Sequence, residues 1–402
     1  MSKRVALYVH IPFCETKCPY CDFNTYARIE SLMPAYIKSL RREITQWGAM
    51  LGRPKVHTVF FGGGTPSYLP SEDFVAVLSE IHQAFQVESD AEITLEANPG
   101  DFDKAKLTAY LEAGANRLSI GVQSLDDRLL SLLGRRHDAA QAVSAYRLAR
   151  EAGFENVSVD LMYGLPHQTL DDWTATVERA AALEPEHLSM YCLTLEKGTP
   201  MEQWVKAGTM PEPDGDLAAD MYVVAEEKME ALGYRHYEIS NWAKQGLESR
   251  HNLAYWRNDA YLGVGPGAHS YLNGMRFANL RPPKEYVRLM ESASTSKAVG
   301  VLDEAAVRSV RVVDSVEVIG RRLEMAETMM MGLRLDTGVG EEAFARRFGS
   351  AMEKAYGPEM AELTQDGLVE RADGALRLTA RGRLLGNRVF SRFFAETADS
   401  TA

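Results

Sequence analysis

Residues 8–23 read YVHIPFCETKCPYCDF and set three cysteines, Cys14, Cys18 and Cys21, in the spacing Cys-x3-Cys-x2-Cys. Thiolates are the usual ligands of iron–sulfur clusters, and a short loop can bring three of them onto one face of a cubane. Three ligands leave one iron without a protein ligand, open to chelation by amino and carboxylate groups. Zinc is the competing reading. A closed zinc site needs a fourth Cys or His near at hand, and His10 is the residue available. Three unrelated free thiols are the remaining alternative.

Outward from this loop, short β-rich runs alternate with amphipathic segments as far as residue 195. The runs are 5–10, 56–61, 92–97, 117–122, 157–162 and 187–193, each rich in Val, Ile, Leu, Phe or Tyr. Such composition suits strands buried on both faces of a parallel sheet. Between them the pattern predicts helices over 33–47, 71–85, 104–113, 139–152 and 171–183. Ser71 followed by Asp73 opens the second of these, and Gly114 and Gly153 follow their helices as C-cap signals. Six β–α units in succession imply an α/β fold with right-handed crossovers, and their number favours a partial (β/α) TIM-like barrel. Residues 1–210 form this unit. MPEPDGD at 210–216 breaks the pattern. A further helix over 217–232 and an aromatic, glycine-rich stretch continue the unit through 211–299. Residues 300–402 read as helices followed by a hairpin turning at Asp373 and Gly374, then a basic helix. That order resembles a winged-helix module, mostly helical and smaller than the barrel. Such modules read DNA or serve as lids and docking surfaces.

Composition bounds the function. Hydrophobic residues make up 46% and charged residues 25% of 402, ordinary for a soluble globular chain. The net charge of −12 argues against a general nucleic-acid surface. No apolar run approaches the roughly 18–20 residues that span a bilayer. His10 and Pro12 interrupt the apolar start, which does not fit a signal peptide. Only four cysteines are present, three of them crowded together. That pattern suits a reducing compartment and a metal rather than a disulfide framework. The expectation is a cytoplasmic protein.

The second chemical signal is GGGTP at 62–66, directly after a predicted strand, where glycines let the backbone approach a ligand that a Cβ would exclude. Glu96 in LEANP, Gln123 in SIGVQS and Asp160 in VDLMYGLP end or sit in the next three strands, and Arg135 in LGRRHD follows the fourth. A lone strand-end acid or amide is usually a cap. Four of them along one sheet point to a shared ligand.

The cysteine loop, the glycine turn and these strand-end residues together resemble the radical S-adenosylmethionine (SAM) superfamily, over most of the chain. The resemblance implies a [4Fe–4S] cluster on Cys14, Cys18 and Cys21, with SAM on the open iron. In that superfamily SAM accepts one electron and cleaves to methionine and a 5′-deoxyadenosyl radical. By the same resemblance Gly63, Gly64 and Thr65 meet the amino group of SAM. Glu96, Gln123, Arg135 and Asp160 hold its other polar groups, and Tyr8 and Tyr20 add contacts beside the cysteines.

Within the superfamily the chain is similar to the HemW family of haem chaperones, and less so to HemN, the oxygen-independent coproporphyrinogen oxidases. HemN-type loops carry a further cysteine two residues past the third, where this chain has Phe23, and they follow a longer N-terminal extension than the 13 residues before Cys14. Residues 251–256, HNLAYW, fit the HNxxYW pattern associated with HemW and haem. The resemblance therefore implies haem as bound cargo, held by His251, Tyr255 and Trp256, since imidazole ligates iron and aromatic rings stack on porphyrin. A packed core histidine is the plainer reading of His251. His269, in a glycine-rich loop, is a weaker candidate. Met325, Met329, Met330 and Met331 span several helix faces, as core packing requires. Cys192 ends the sixth strand, as a filler or near the site.

The expected function is haem binding and delivery to respiratory haem proteins. A peripheral membrane contact and a homodimer are compatible with that role, and nucleic acid is not an expected partner. The alternative is oxidative decarboxylation of coproporphyrinogen III in haem biosynthesis. A more distant one is radical SAM chemistry on another substrate.

Overall fold

The six apolar runs become six strands in the computed structural model, which describes residues 4–292 and 302–394. They are β1 (Arg4–Ile11), β2 (Lys55–Gly63), β3 (Gln86–Ala97), β4 (Arg117–Gln123), β5 (Val157–Tyr163) and β6 (His187–Cys192), all parallel and paired in that order. Helices Met33–Leu51, Ser71–Ala84, Lys104–Ala113, Ala139–Ala152 and Leu170–Ala181 cross between them. Gly114 and Gly153 take left-handed conformations at φ 113° and 107°, which ends their helices as expected. Ser71 does not cap its helix. Pro70 holds that position without a side-chain bond, and Glu72 and Asp73 in the first turn complement the helix dipole instead.

Two features of the sheet go beyond the six units. The short strands β7 (Arg235–Glu238) and β8 (Asn241–Ala243) form an antiparallel hairpin whose second strand pairs with β6. On the other side β9 (Tyr261–Val264) adds a seventh parallel strand next to β1, followed by β10 (His269–Leu272), β11 (Met275–Asn279) and β12 (Val313–Val318) in antiparallel order. The complete order is β12-β11-β10-β9-β1-β2-β3-β4-β5-β6-β8-β7, and it does not close on itself. The barrel is partial.

The two faces of the strands differ. Val59, Phe61, Leu95, Leu118, Ile120, Val159, Leu161, Leu188 and Met190 belong to one buried apolar core with the crossover helices. The alternating positions carry Thr58, Glu96, Ser119, Asp160, His187 and Ser189. Hydrogen bonds from Ser119 to Asp160 (2.9 Å) and between Ser158 and His187 (2.8 Å) show that these polar groups share the inner face. A barrel that serves only as a core fills its interior with branched apolar side chains. The inner face of this one is polar at these positions.

After β12, helices Arg321–Gly332, Glu341–Phe348 and Met352–Gln365 precede the hairpin Val369–Ala372 and Ala375–Leu378. Its turn holds Asp373 and Gly374 at φ 52° and 74°, the double left-handed turn that an Asp-Gly pair favours. Short helices Ala380–Leu384 and Gly386–Arg392 follow. This part has a separate core of Met329, Phe344, Phe348, Leu376 and Phe390, against which Met325 and Met330 pack. Three of the four expected core methionines thus fill space. Among the described residues no helix is long and apolar enough to cross a membrane.

Candidate functional site

The cysteine loop leaves β1 at its C-terminal end and is pinned from both sides. Lys17 Nζ donates to the Phe23 carbonyl (3.0 Å), and Asn24 Nδ2 donates to the carbonyls of Pro266 (2.9 Å) and Arg281 (3.0 Å). Gly267 packs so close that a Cβ there would fall 2.6 Å from Asn24 Nδ2. The glycine-rich segment beyond β9 thus braces the cysteines.

Cys14, Cys18 and Cys21 are free thiols bordering one cavity of about 520 Å³ in the mouth of the barrel. Thr65 Oγ1 donates to Cys14 Sγ (3.4 Å) and Arg135 Nη1 to Cys18 Sγ (3.6 Å), and Thr25 Oγ1 shares a hydrogen bond with Cys14 Sγ (3.1 Å). Burial raises the pKa of Cys14 and lifts Cys21 to about 11. A bound metal reverses that preference by stabilising the thiolate. Among the described residues no three His, Cys, Asp or Glu side chains converge as ligands of a single ion. A cubane requires no such convergence, because each thiolate binds a different iron. His10 does not complete a zinc site. Its Nε2 must donate to the Asn24 carbonyl (2.9 Å), so Nδ1 accepts from the Tyr8 hydroxyl (3.0 Å) and both nitrogens are occupied.

Tyr20, Gly63, Gly64, Thr65, Glu96, Gln123, Arg135 and Asp160 all border the same cavity as the cysteines. Gly63 N–H donates to Glu96 Oε2 (3.1 Å). Burial first, and then the nearby Asp160, push the Glu96 carboxyl up to about 8. Asp160, raised by burial, accepts from Ser119 and from Ser158 (3.1 Å). Arg135 Nη2 donates to Asn98 Oδ1 (2.5 Å) and to the Gly121 carbonyl (2.7 Å). Cys192 also borders the cavity.

The glycine turn has a packing role as well. Gly63 has φ 109°, and a Cβ there would collide with the His10 ring, while at Gly64 it would meet the Phe13 carbonyl at 2.6 Å. Both Cβ directions point into the cysteine loop's own support. Packing alone requires glycine at both positions, and both also border the cavity.

Tyr8 lies outside the cavity lining, its ring stacked 6.3 Å from Phe60. The haem candidates are placed differently from expectation. His251 is buried, with Nδ1 2.9 Å from Thr58 Oγ1, Nε2 2.9 Å from the Tyr255 hydroxyl and its ring stacked on Phe60. Burial lowers its pKa to about 3. No imidazole nitrogen is open to an iron in this arrangement, which is that of a packed core histidine. Trp256 instead faces the C-terminal part, where the Arg334 guanidinium sits between its ring (5.1 Å) and that of Phe390 (4.7 Å). Asn252, from the same motif, does border the cavity. His269 is exposed at the start of β10 and is not part of the lining.

The sequence reading missed Asn98, Arg117, Ser119, Ser189 and Tyr191, all of which border the cavity. Their signal was the period of two: 117, 119, 121 and 123 share a strand face that ends in the expected Gln123. Arg117, a charge opening an apolar strand, was the plainest clue.

The family model for the Radical SAM superfamily matches residues 8–180, and that for the HemN C-terminal domain matches 321–385. A Bacillus subtilis protein named heme chaperone HemW is 39% identical over 390 residues, covering 97% of this chain and 99% of its own length. The mouse protein named radical S-adenosyl methionine domain-containing protein 1, mitochondrial, is 39% identical over 346 residues, 84% of this chain and 75% of its own. The structure of the Escherichia coli coproporphyrinogen III oxidase HemN superimposes with a TM-score of 0.81 over 98% of this chain and 90% of that one, at 23% identity. That last likeness is one of fold. On full-length identity to its relatives and the superfamily match across the barrel, the chain belongs to the HemW family of radical SAM proteins.

Proposed function

We propose that this chain is a cytoplasmic haem chaperone that carries a [4Fe–4S] cluster on Cys14, Cys18 and Cys21 with SAM beside it, and that delivers haem to respiratory haem proteins. The observation that carries the cofactor reading is the meeting of three free thiols with Glu96, Gln123, Arg135 and Asp160 around one cavity. The cluster, when bound, supplies an open iron and an electron. The chain's own part is positional: Arg135 offers a guanidinium next to Cys18, and Glu96 and Asp160 offer hydrogen-bonding oxygens deeper in the cleft. Thr65 directs a donor at Cys14, and Thr25 shares a hydrogen bond with it.

The haem reading rests on the relatives, which are named heme chaperones and match along nearly the whole chain. It does not rest on His251, whose nitrogens are both engaged. The test is anaerobic reconstitution of the full chain, followed by haem titration and a coproporphyrinogen III decarboxylation assay on the same sample. Saturable haem uptake without decarboxylation is expected. Sustained decarboxylation with SAM consumed in proportion would overturn the chaperone reading in favour of the oxidase.

A further inference from the structure

Arg117 opens β4 and is only 2% exposed, yet it borders the cleft. Its Nε is buried without a hydrogen-bond partner, and Glu96 and Asp160 feel its charge only from beyond ion-pair distance. Its neighbour across the β3–β4 ladder, Thr94, also has a buried hydroxyl without a partner. Charged groups withdrawn from water are ordinarily paired, because an unpaired charge in a protein interior is costly. A guanidinium held this way at the edge of a cavity is matched to a group the ligand brings, and its planar fork suits a carboxylate.

Two carboxylate sources are relevant, SAM and a porphyrin. Chelation to an open iron would hold the SAM carboxylate next to the cysteines, where Arg135 already stands. The Gly121 carbonyl that fixes Arg135 lies four residues further along β4 than Arg117, a separation of about 13 Å along a strand. Phe60 lies near the Arg117 level, Ser119, Asp160 and Ser189 line the stretch up to Gly121, and apolar Met162 and Leu193 lie beyond it towards the mouth, with Tyr191 and Phe23 exposed there. A ligand with an apolar body towards the mouth and a carboxylate arm reaching down past Ser119 and Asp160 matches this lining.

We infer that Arg117 is the receptor for a porphyrin propionate at the floor of the cleft, an inference that rests on the haem-binding reading above. Arg117→Met and Arg117→Lys variants of the full, reconstituted chain test it, with circular dichroism and cluster content as controls for folding. Haem, haem dimethyl ester and SAM are titrated in turn. Arg117→Met is expected to weaken haem binding by about tenfold or more and leave SAM binding unchanged, while Arg117→Lys, which keeps the charge without the fork, recovers part of that loss. The parent is expected to bind the dimethyl ester about tenfold more weakly than haem, and this arm needs no variant. Equal affinity of the parent for haem and its dimethyl ester would overturn the inference. So would parental haem affinity in folded Arg117→Met, or a loss confined to SAM, which would make the carboxylate that of SAM. A parent that binds no haem at all would instead remove the chaperone reading on which the inference stands.

Discussion

The Gly63 N–H donates to Glu96 Oε2 across 3.1 Å, tying the glycine turn after β2 to the carboxyl at the end of β3. The bond is local, but its two partners face different neighbours. Gly63 backs onto His10 beneath the cysteine loop, and Glu96 faces the cleft near Asp160.

Glu96 should make stability fall with rising pH. Burial and the nearby Asp160 raise its carboxyl from 4.5 to about 8 in the folded chain. Between those values the native state holds a proton that the unfolded chain has released, so folding is penalised progressively as pH rises. The stabilising contribution is complete below 4.5 and lost by about 8. Urea denaturation of the cluster-free chain at pH 5 and pH 8 should show Glu96→Gln gaining about 1–3 kcal/mol on the parent across the window, a figure discounted for water in the cleft. Parallel pH curves for parent and variant would remove the effect.

Gly63→Ala should damage the cysteine loop before it damages ligand binding. A left-handed φ of 109° already disfavours alanine, and the added methyl collides with the His10 ring. The cost in stability should be about 1–3 kcal/mol. Iron content should fall along with SAM affinity. Full iron content with selective loss of SAM binding would show that the methyl meets the ligand instead.

His251→Ala should destabilise the barrel by about 2–4 kcal/mol, since it leaves a cavity and strips a partner from Thr58 and from Tyr255. The folded fraction should bind haem as the parent does. Denaturation curves and haem titration on one preparation separate the two effects. A fully stable variant that had lost haem would restore this residue to the site.

The thiols should divide three to one. Alanine at Cys14, Cys18 or Cys21 should abolish cluster assembly, whereas Cys192→Ala should keep parental iron and sulfide although its side chain borders the same cavity. Iron and sulfide analysis after anaerobic reconstitution reads this directly. Parental iron in Cys18→Ala would sink the three-ligand assignment.

The parallel strands were legible because each is a dense apolar run between helical patterns, and the expected limits of β1 to β6 fall within two residues of the observed ones except at the start of β3, which begins at Gln86 in a polar stretch. The seventh parallel strand was not. Tyr261–Val264 has four residues and a glycine, too little for any period to emerge, and its partner β1 lies some 250 residues earlier. Strand Val313–Val318 likewise joins the sheet from within a region that read as helical. The cleft residues at strand ends could be read because a polar side chain after an apolar run stands out. Ser119 could not, since only the alternation of inner and outer faces gives it meaning, and the same alternation is what turns the charge of Arg117 from a strand-edge residue into a cleft residue. His251 shows the opposite limit: its pattern was visible, but whether its nitrogens were free depended on Thr58, far away in sequence.

The most direct measurement is electron paramagnetic resonance of the reduced, anaerobically reconstituted chain before and after addition of SAM. Three protein thiolates and one open iron should give a [4Fe–4S]⁺ signal whose g values change when SAM binds, and Arg135→Ala should weaken that response without removing the signal. A cluster signal indifferent to SAM at saturating concentration, or no cluster signal at all, would contradict the assignment of this cleft.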